Sequence, residues 1–183
     1  LARVTGVPAD TIRALLMDSA TARALGVPGP TMEGYLYPAT YTFPLNLPLS
    51  TLIGQLAGRY REAWTPARRA RADSIGMSER EVVTLASIVE AEARRPEEMS
   101  LISAVYHNRL RRNYPLQADP TVQYALAEHQ DRLLYAHIDS AADNPYNTYR
   151  RSGLPPGPIG SPGEAAIDAA LRPDSVSYFY FVA

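Results

Sequence analysis

Two glutamates in near succession, Glu90 and Glu92, have the residue type and surroundings for acid–base chemistry. They lie in Leu85-Ala86-Ser87-Ile88-Val89-Glu90-Ala91-Glu92-Ala93, a run with helical apolar spacing. At about 100° per residue, Val82, Ala86, Val89 and Ala93 share one face, flanked by Leu85 and Ile88 on one side and Val83 on the other. Glu90 then projects between Ala86 and Val83, and Glu92 between Leu85 and Ile88. Both carboxyls are expected inside the apolar arc. A carboxyl against apolar neighbours loses hydration in its charged form, so its pKa rises and it can serve as a general acid near neutral pH. The competing reading is structural: the helix end is exposed, and both glutamates snorkel or pair with Arg94, Arg95 or Arg109.

The elements that must position these groups follow from local signals. Ser78 with Glu81 three residues on predicts a capping box opening a helix from Ser78 to Arg95, which Pro96 stops. Further helices are predicted over 5–25, with Thr5 or Asp10 as cap, over 47–64, with Ser50 as cap, over 66–73 as a solvated arginine-rich helix, and over 97–112. Asp119 before Pro120 fits an N-cap with proline at N1 of a short helix, and a last helix spans 162–171 behind Ser161. Met32 to Pro44, with four aromatics and two prolines in thirteen residues, predicts extended or looped chain. It reads either as a sugar-stacking platform or as a packed β segment. Residues 128–143 form a polar surface excursion. The stretches 144–149 and 153–160 are long, irregular and rich in hydrogen-bonding groups, as functional loops often are. Ser177 to Val182 alternates aromatics and predicts a closing strand.

Composition excludes several classes. The 183 residues carry a net charge of −1, which offers nothing to nucleic acid or anionic lipid. The 18 basic residues are all arginine, a mark of genomic base bias. Without cysteine there is no disulfide framework, thiolate metal site or cysteine nucleophile. His107, His129 and His137 lack metal-ligand spacing, so no metal and no cofactor are expected. No signal peptide or membrane span is visible.

Taken in order, the motifs resemble the YceG-like family of endolytic murein transglycosylases. The matching segments are Glu33-Gly34-Tyr35-Leu36-Tyr37-Pro38 with Thr40-Tyr41-Thr42-Phe43, then Leu85 to Glu90 with Glu92, then Asn108-Arg109-Leu110. Leu116-Gln117, Asp119-Pro120-Thr121-Val122, Tyr146-Asn147-Thr148-Tyr149, Gly153 to Ile159 and Tyr178 to Ala183 complete the series. Ala39 stands where the family usually has an acidic residue, and Ala91 where it often has lysine.

The resemblance implies an α+β fold, a mainly helical catalytic domain with a small antiparallel β element. Residues 1–30 would be a junction with a LysM-like subdomain, and 31–183 the catalytic domain, cut before the family's C-terminal tail. The activity implied is lytic cleavage of the β-1,4 bond between N-acetylmuramic acid and N-acetylglucosamine in nascent strands, leaving 1,6-anhydro ends. The partners would be peptidoglycan glycan strands and cell-wall synthases. The location would be the extracytoplasmic face of the cell membrane, through an N-terminal anchor outside this chain. The matched catalytic residue is Glu90, with Glu92 its rival. Gln117, Asn147, Thr148 and Tyr149 are candidate hydrogen-bonding groups for the glycan, Tyr35 and Tyr37 candidate stacking groups, and Glu33 and Asp119 further substrate contacts. For Asn147 and Thr148 the alternative is loop self-bonding. Two other functions fit the same residues: a hydrolytic muramidase pairing Glu90 with Asp119, and a non-catalytic glycan-binding module.

Overall fold

Proline, glycine and aspartate cut the chain into short helices. A computed structural model describes every residue except Leu45, Asn46, Ala127, Val182 and Ala183. The helix expected over 5–25 is divided into α1 (Ala2–Thr5), α2 (Ala9–Met17) and α3 (Ser19–Ala24). Asp18 makes the second break: it is extended, and its carboxylate caps α3 by accepting from the Thr21 amide at 2.8 Å. Residues 31–44 follow without regular structure, as their prolines and aromatics require. Then come α4 (Leu49–Ala63), α5 (Pro66–Ser74), α6 (Glu79–Glu92) and α7 (Met99–Arg111), the last entered through a 3₁₀ turn at Pro96–Glu98. Shorter helices α8 (Asp119–Ala125), α9 (Tyr135–Ser140) and α10 (Glu164–Leu171) are set among the irregular loops.

Helix α6 is the axis of the core. Its capping box forms as expected, Glu81 reaching back to the Ser78 amide at 2.8 Å. It packs against α10, α7 and α8 at once, and every residue from Val82 to Val89 is buried. Its buried hydroxyls are satisfied locally: Thr84 donates to the Arg80 carbonyl, and Ser87 to the Thr84 carbonyl. Ser87 also accepts from the Ile159 amide at 3.0 Å, which pins the proline-rich loop to the helix. Gly34 lets the other loop cross close by. It holds φ 87, and a methyl group there would overlap the Pro158 ring. Helix α5 is less solvated than its arginines predict: Arg68 is buried and binds Asp168 and Glu164 of α10.

The expected α+β class is overturned. The chain is helical, and among the described residues there is no sheet, only an isolated bridge between Pro115 and Ser152. The aromatic alternation at 177–181 is real, with Tyr178 and Tyr180 exposed and Phe181 turned inward. Its backbone partner is a helix instead of a strand. Asn108 donates to the Val176 and Tyr178 carbonyls and Arg109 to the Phe179 carbonyl, at 2.8–2.9 Å. Alternation reports only that one face is packed. Val182, the predicted end of the strand, lies outside the described residues.

Candidate active site

Helix α6 ends at Glu92, with Ala93 already extended. Glu90 and Glu92 therefore share its last turn and, at about 100° per residue, point roughly 160° apart. The apolar arc expected to enclose both has closed by this point, because the fully buried stretch stops at Val89.

Glu90 is exposed. Its carboxylate accepts from the Gly163 amide at 3.1 Å, at the entry to α10, and Pro38 lies beside the same spot. The expectation that apolar neighbours enclose it does not hold, because the helix turns it out past the core edge.

Glu92 is half-buried and faces α7 and α8. Burial raises its carboxyl pKa above the ordinary range, and the nearby Asp119 carboxylate raises it further. The Tyr106 hydroxyl donates to it at 2.9 Å and, with the Asp119 amide and the Arg109 guanidinium, limits the rise. Tyr106 is buried and is held edge-on by Phe181, ring centroids 5.7 Å apart. Arg109 is buried behind the site between the rings of Tyr114 and Tyr180, 5.6 and 5.2 Å from their centroids, and it donates to the Leu116 carbonyl.

The residues singled out in the sequence divide between these two sides. Asp119 is exposed at the first turn of α8. Its side chain does not cap the helix but accepts from the Tyr149 hydroxyl at 2.5 Å. Burial and that bond raise the Tyr149 pKa, so Tyr149 keeps its proton and stays a hydrogen-bond donor. Gln117 is half-buried at φ 50, its amide held by the Thr148 carbonyl at 3.1 Å. A glutamine in that region costs about 1 kcal/mol or more, strain that collects at functional sites.

The side chains of Asn147 and Thr148 are engaged within the fold. Asn147 is fully buried and its amide donates to the Ile138 and Ala141 carbonyls. Thr148 spends its hydroxyl on the Ala118 amide and Thr121. Self-bonding of the loop is the reading that holds for both, and it fixes Tyr149 opposite Asp119. Tyr35 is not a stacking platform either: it is fully buried, edge-on to Tyr60 at 5.0 Å. Tyr37 is half-buried on the Glu90 side, in a cleft of about 220 Å³ shared with Arg68 and Glu164. Glu33 lines a separate cleft of about 290 Å³ with Arg13, and burial raises its pKa against the pull of that arginine. Neither Tyr37 nor Glu33 joins the Glu92 group.

The arrangement around Glu92 can deliver one proton from a half-buried acid and take it back. A second carboxylate, Asp119, and a phenol, Tyr149, stand alongside. A larger cleft, of about 720 Å³, lies elsewhere, at the start of α6 among Arg80, Arg111 and Pro155. That cleft is lined by Glu81 and by His107, whose pKa burial lowers, and among the described residues it holds no pair of carboxylates like Glu92 and Asp119. Tyr106 is a functional residue that the sequence motifs do not single out: it falls within the helix predicted over 97–112, outside every matching segment. A signal was present: a hydroxyl-bearing ring on the helix that must fold back along α6.

A model of the YceG-like family matches residues 4–183. The endolytic murein transglycosylase of Bacillus subtilis (strain 168) is 39% identical over 151 residues, which cover 81% of this chain and 41% of that protein. The endolytic murein transglycosylase of Streptococcus pneumoniae serotype 2 (strain D39 / NCTC 7466) is 34% identical over 152 residues, covering 81% of this chain and 27% of that protein. The chain thus spans less than half the length of these curated relatives. A crystal structure of a yceG-like protein from Listeria monocytogenes superposes with a TM-score of 0.87 at 32% identity, over 100% of this chain and 64% of that one.

Proposed function

The chain belongs to the YceG-like family, and from that premise we propose that it is the catalytic part of a lytic transglycosylase. It cleaves the β-1,4 bond between N-acetylmuramic acid and N-acetylglucosamine within nascent glycan strands and ends them as 1,6-anhydro-muramyl residues. This reading draws on the names of the two relatives and on one observation here: a half-buried carboxyl, Glu92, with a raised pKa, bonded to the Tyr106 hydroxyl and close to Asp119. It places action outside the cytoplasmic membrane, where peptidoglycan lies. Among the described residues no helix is long and apolar enough to cross a membrane.

A single carboxyl is sufficient for such a lyase. Protonated Glu92 gives its proton to the leaving glycosidic oxygen as the bond to the anomeric carbon breaks and oxocarbenium-like charge develops. The carboxylate left behind takes the proton of the muramyl 6-hydroxyl, whose oxygen closes on the anomeric carbon. The acid is regenerated and no water is consumed. A group that must be protonated first and ionised later works best with its pKa near the working pH, and burial moves Glu92 upward, in that direction. We therefore assign the acid to Glu92 in preference to Glu90. Tyr106 orients it, and Asp119, Tyr149 and Gln117 face the substrate.

Asp119 beside the acid supports a second reading, hydrolysis with Asp119 activating water. Digestion of purified peptidoglycan followed by mass spectrometry separates the two. Anhydro ends are expected from the unsubstituted protein and from Glu90→Gln, and no cleavage from Glu92→Gln. Reducing ends would replace the lyase by a hydrolase. Cleavage by a folded Glu92→Gln protein would remove the assignment of the acid.

A further inference from the structure

Asp119 and Tyr149 form one side of a cleft of about 280 Å³. Its other walls come from the excursion around α9: Arg132, Leu134, Tyr135 and Ile138. This excursion is a braced arm. Asn147 holds the Ile138 and Ala141 carbonyls, and the Gln123 side chain bonds both the amide and the carbonyl of Gln130. The brace leaves two large apolar side chains in water, with Tyr135 84% and Leu134 49% exposed. Solvating a tyrosine so fully forgoes burial energy, and an aromatic ring presented beside polar groups suits a ligand with one apolar face. Arg132 is also exposed and has no carboxylate partner among the described residues, even across the cleft from Asp119.

We propose that this cleft is a sugar subsite next to the reacting bond, with Tyr135 stacking on one pyranose ring and Arg132 pairing with a carboxylate that the ring carries. The inference rests on the reading of Glu92 as the acid, because Asp119 and Tyr149 link cleft and acid. The cleft lies near the lower end of the roughly 300–1,000 Å³ usual for ligand pockets, room for a single sugar with its side group. Of the two alternating sugars, the muramyl unit bears an acidic substituent. Its carboxylate comes from the lactyl group when the strand is bare and from the stem peptide when it is not. A guanidinium accepts either.

Calorimetric titration of the uncleaving Glu92→Gln protein tests this with three probes: bare muramyl glycans, peptide-bearing muramyl glycans, and neutral N-acetylglucosamine oligomers. Tyr135→Ala, added to that background, is expected to weaken all three about tenfold. Arg132→Gln is expected to weaken the muramyl probes about tenfold and leave the neutral oligomer unchanged. Loss with both muramyl probes identifies the lactyl or shared position, and loss with the peptide-bearing one alone identifies the stem peptide. Unchanged affinities in Tyr135→Ala, or equal losses on charged and neutral probes in Arg132→Gln, would overturn the subsite. The acid assignment is read separately, from cleavage by the unsubstituted protein. Both side chains are exposed, so an unchanged melting temperature confirms folding.

Discussion

Glu90 and Glu92 leave one helical turn in nearly opposite directions and meet different surroundings. Glu90 stands in water with a single backbone amide for company, beside the entry to α10. Glu92 is half-buried against a buried tyrosine ring, a second carboxylate and a buried arginine. The same side chain is a docking contact on one side and a titratable acid on the other. What separates them is the packing of α7 and α8 over one flank of α6 only. The Glu90 flank is braced by structural pairs such as Arg68 with Asp168 and Glu164. The Glu92 flank is braced by groups that bear on protonation.

Four experiments put that contrast at risk. The largest effect is expected from exchanging each glutamate for glutamine: Glu92→Gln should lower kcat by about 10³-fold. Glu90→Gln should keep cleavage within a few-fold, with both proteins checked by circular dichroism. Similar losses at both would erase the distinction. Next, Arg68→Ala should cost about 2–3 kcal/mol in a denaturant titration, since it strands a buried interaction whose partners are partly solvated. The pH dependence of its remaining activity should not change. A shifted pH profile would mean that the Glu90 flank also tunes chemistry.

Tyr106→Phe should lower kcat about fivefold and move the alkaline limb of the rate profile upward. The hydroxyl favours the charged carboxylate, so without it the Glu92 pKa rises and the acid stays protonated to higher pH. A limb moving downward would contradict the hydrogen bond as drawn. The smallest effect concerns stability. Raised in the folded state, Glu92 binds its proton more tightly there than in the unfolded chain. Its contribution is complete at low pH and is lost as pH climbs through the folded value. Glu92→Gln should therefore melt higher than the parent at neutral pH. The gain should shrink to nothing as pH falls into the ordinary carboxylate range.

Local signals in the sequence carried α6, its capping box and the adjoining helices, because capping and apolar spacing act within a few residues. The helical wheel placed both glutamates in an apolar arc without knowing where neighbouring helices stop. Only the buried end at Val89 reveals that Glu90 lies beyond them. Asn147 and Thr148 were recognisable as important, but not as brace instead of ligand, since an amide bonds a distant carbonyl as readily as a sugar. The missing strand has a similar cause: alternation at 177–181 records a packed face, while side chains of α7 take the carbonyls.

That last contact bears on the timing of assembly. Asn108 and Arg109 leave the ribosome about 70 residues ahead of the carbonyls they grip. Until residues 176–181 follow, Tyr106 has no Phe181 against its ring and Arg109 no second aromatic wall. The core around α6 is itself completed only when α10 has emerged, so the Glu92 corner and the core close in quick succession over residues 164–181. The side chains around Glu92 are thus held by a segment made well after the helix that carries them.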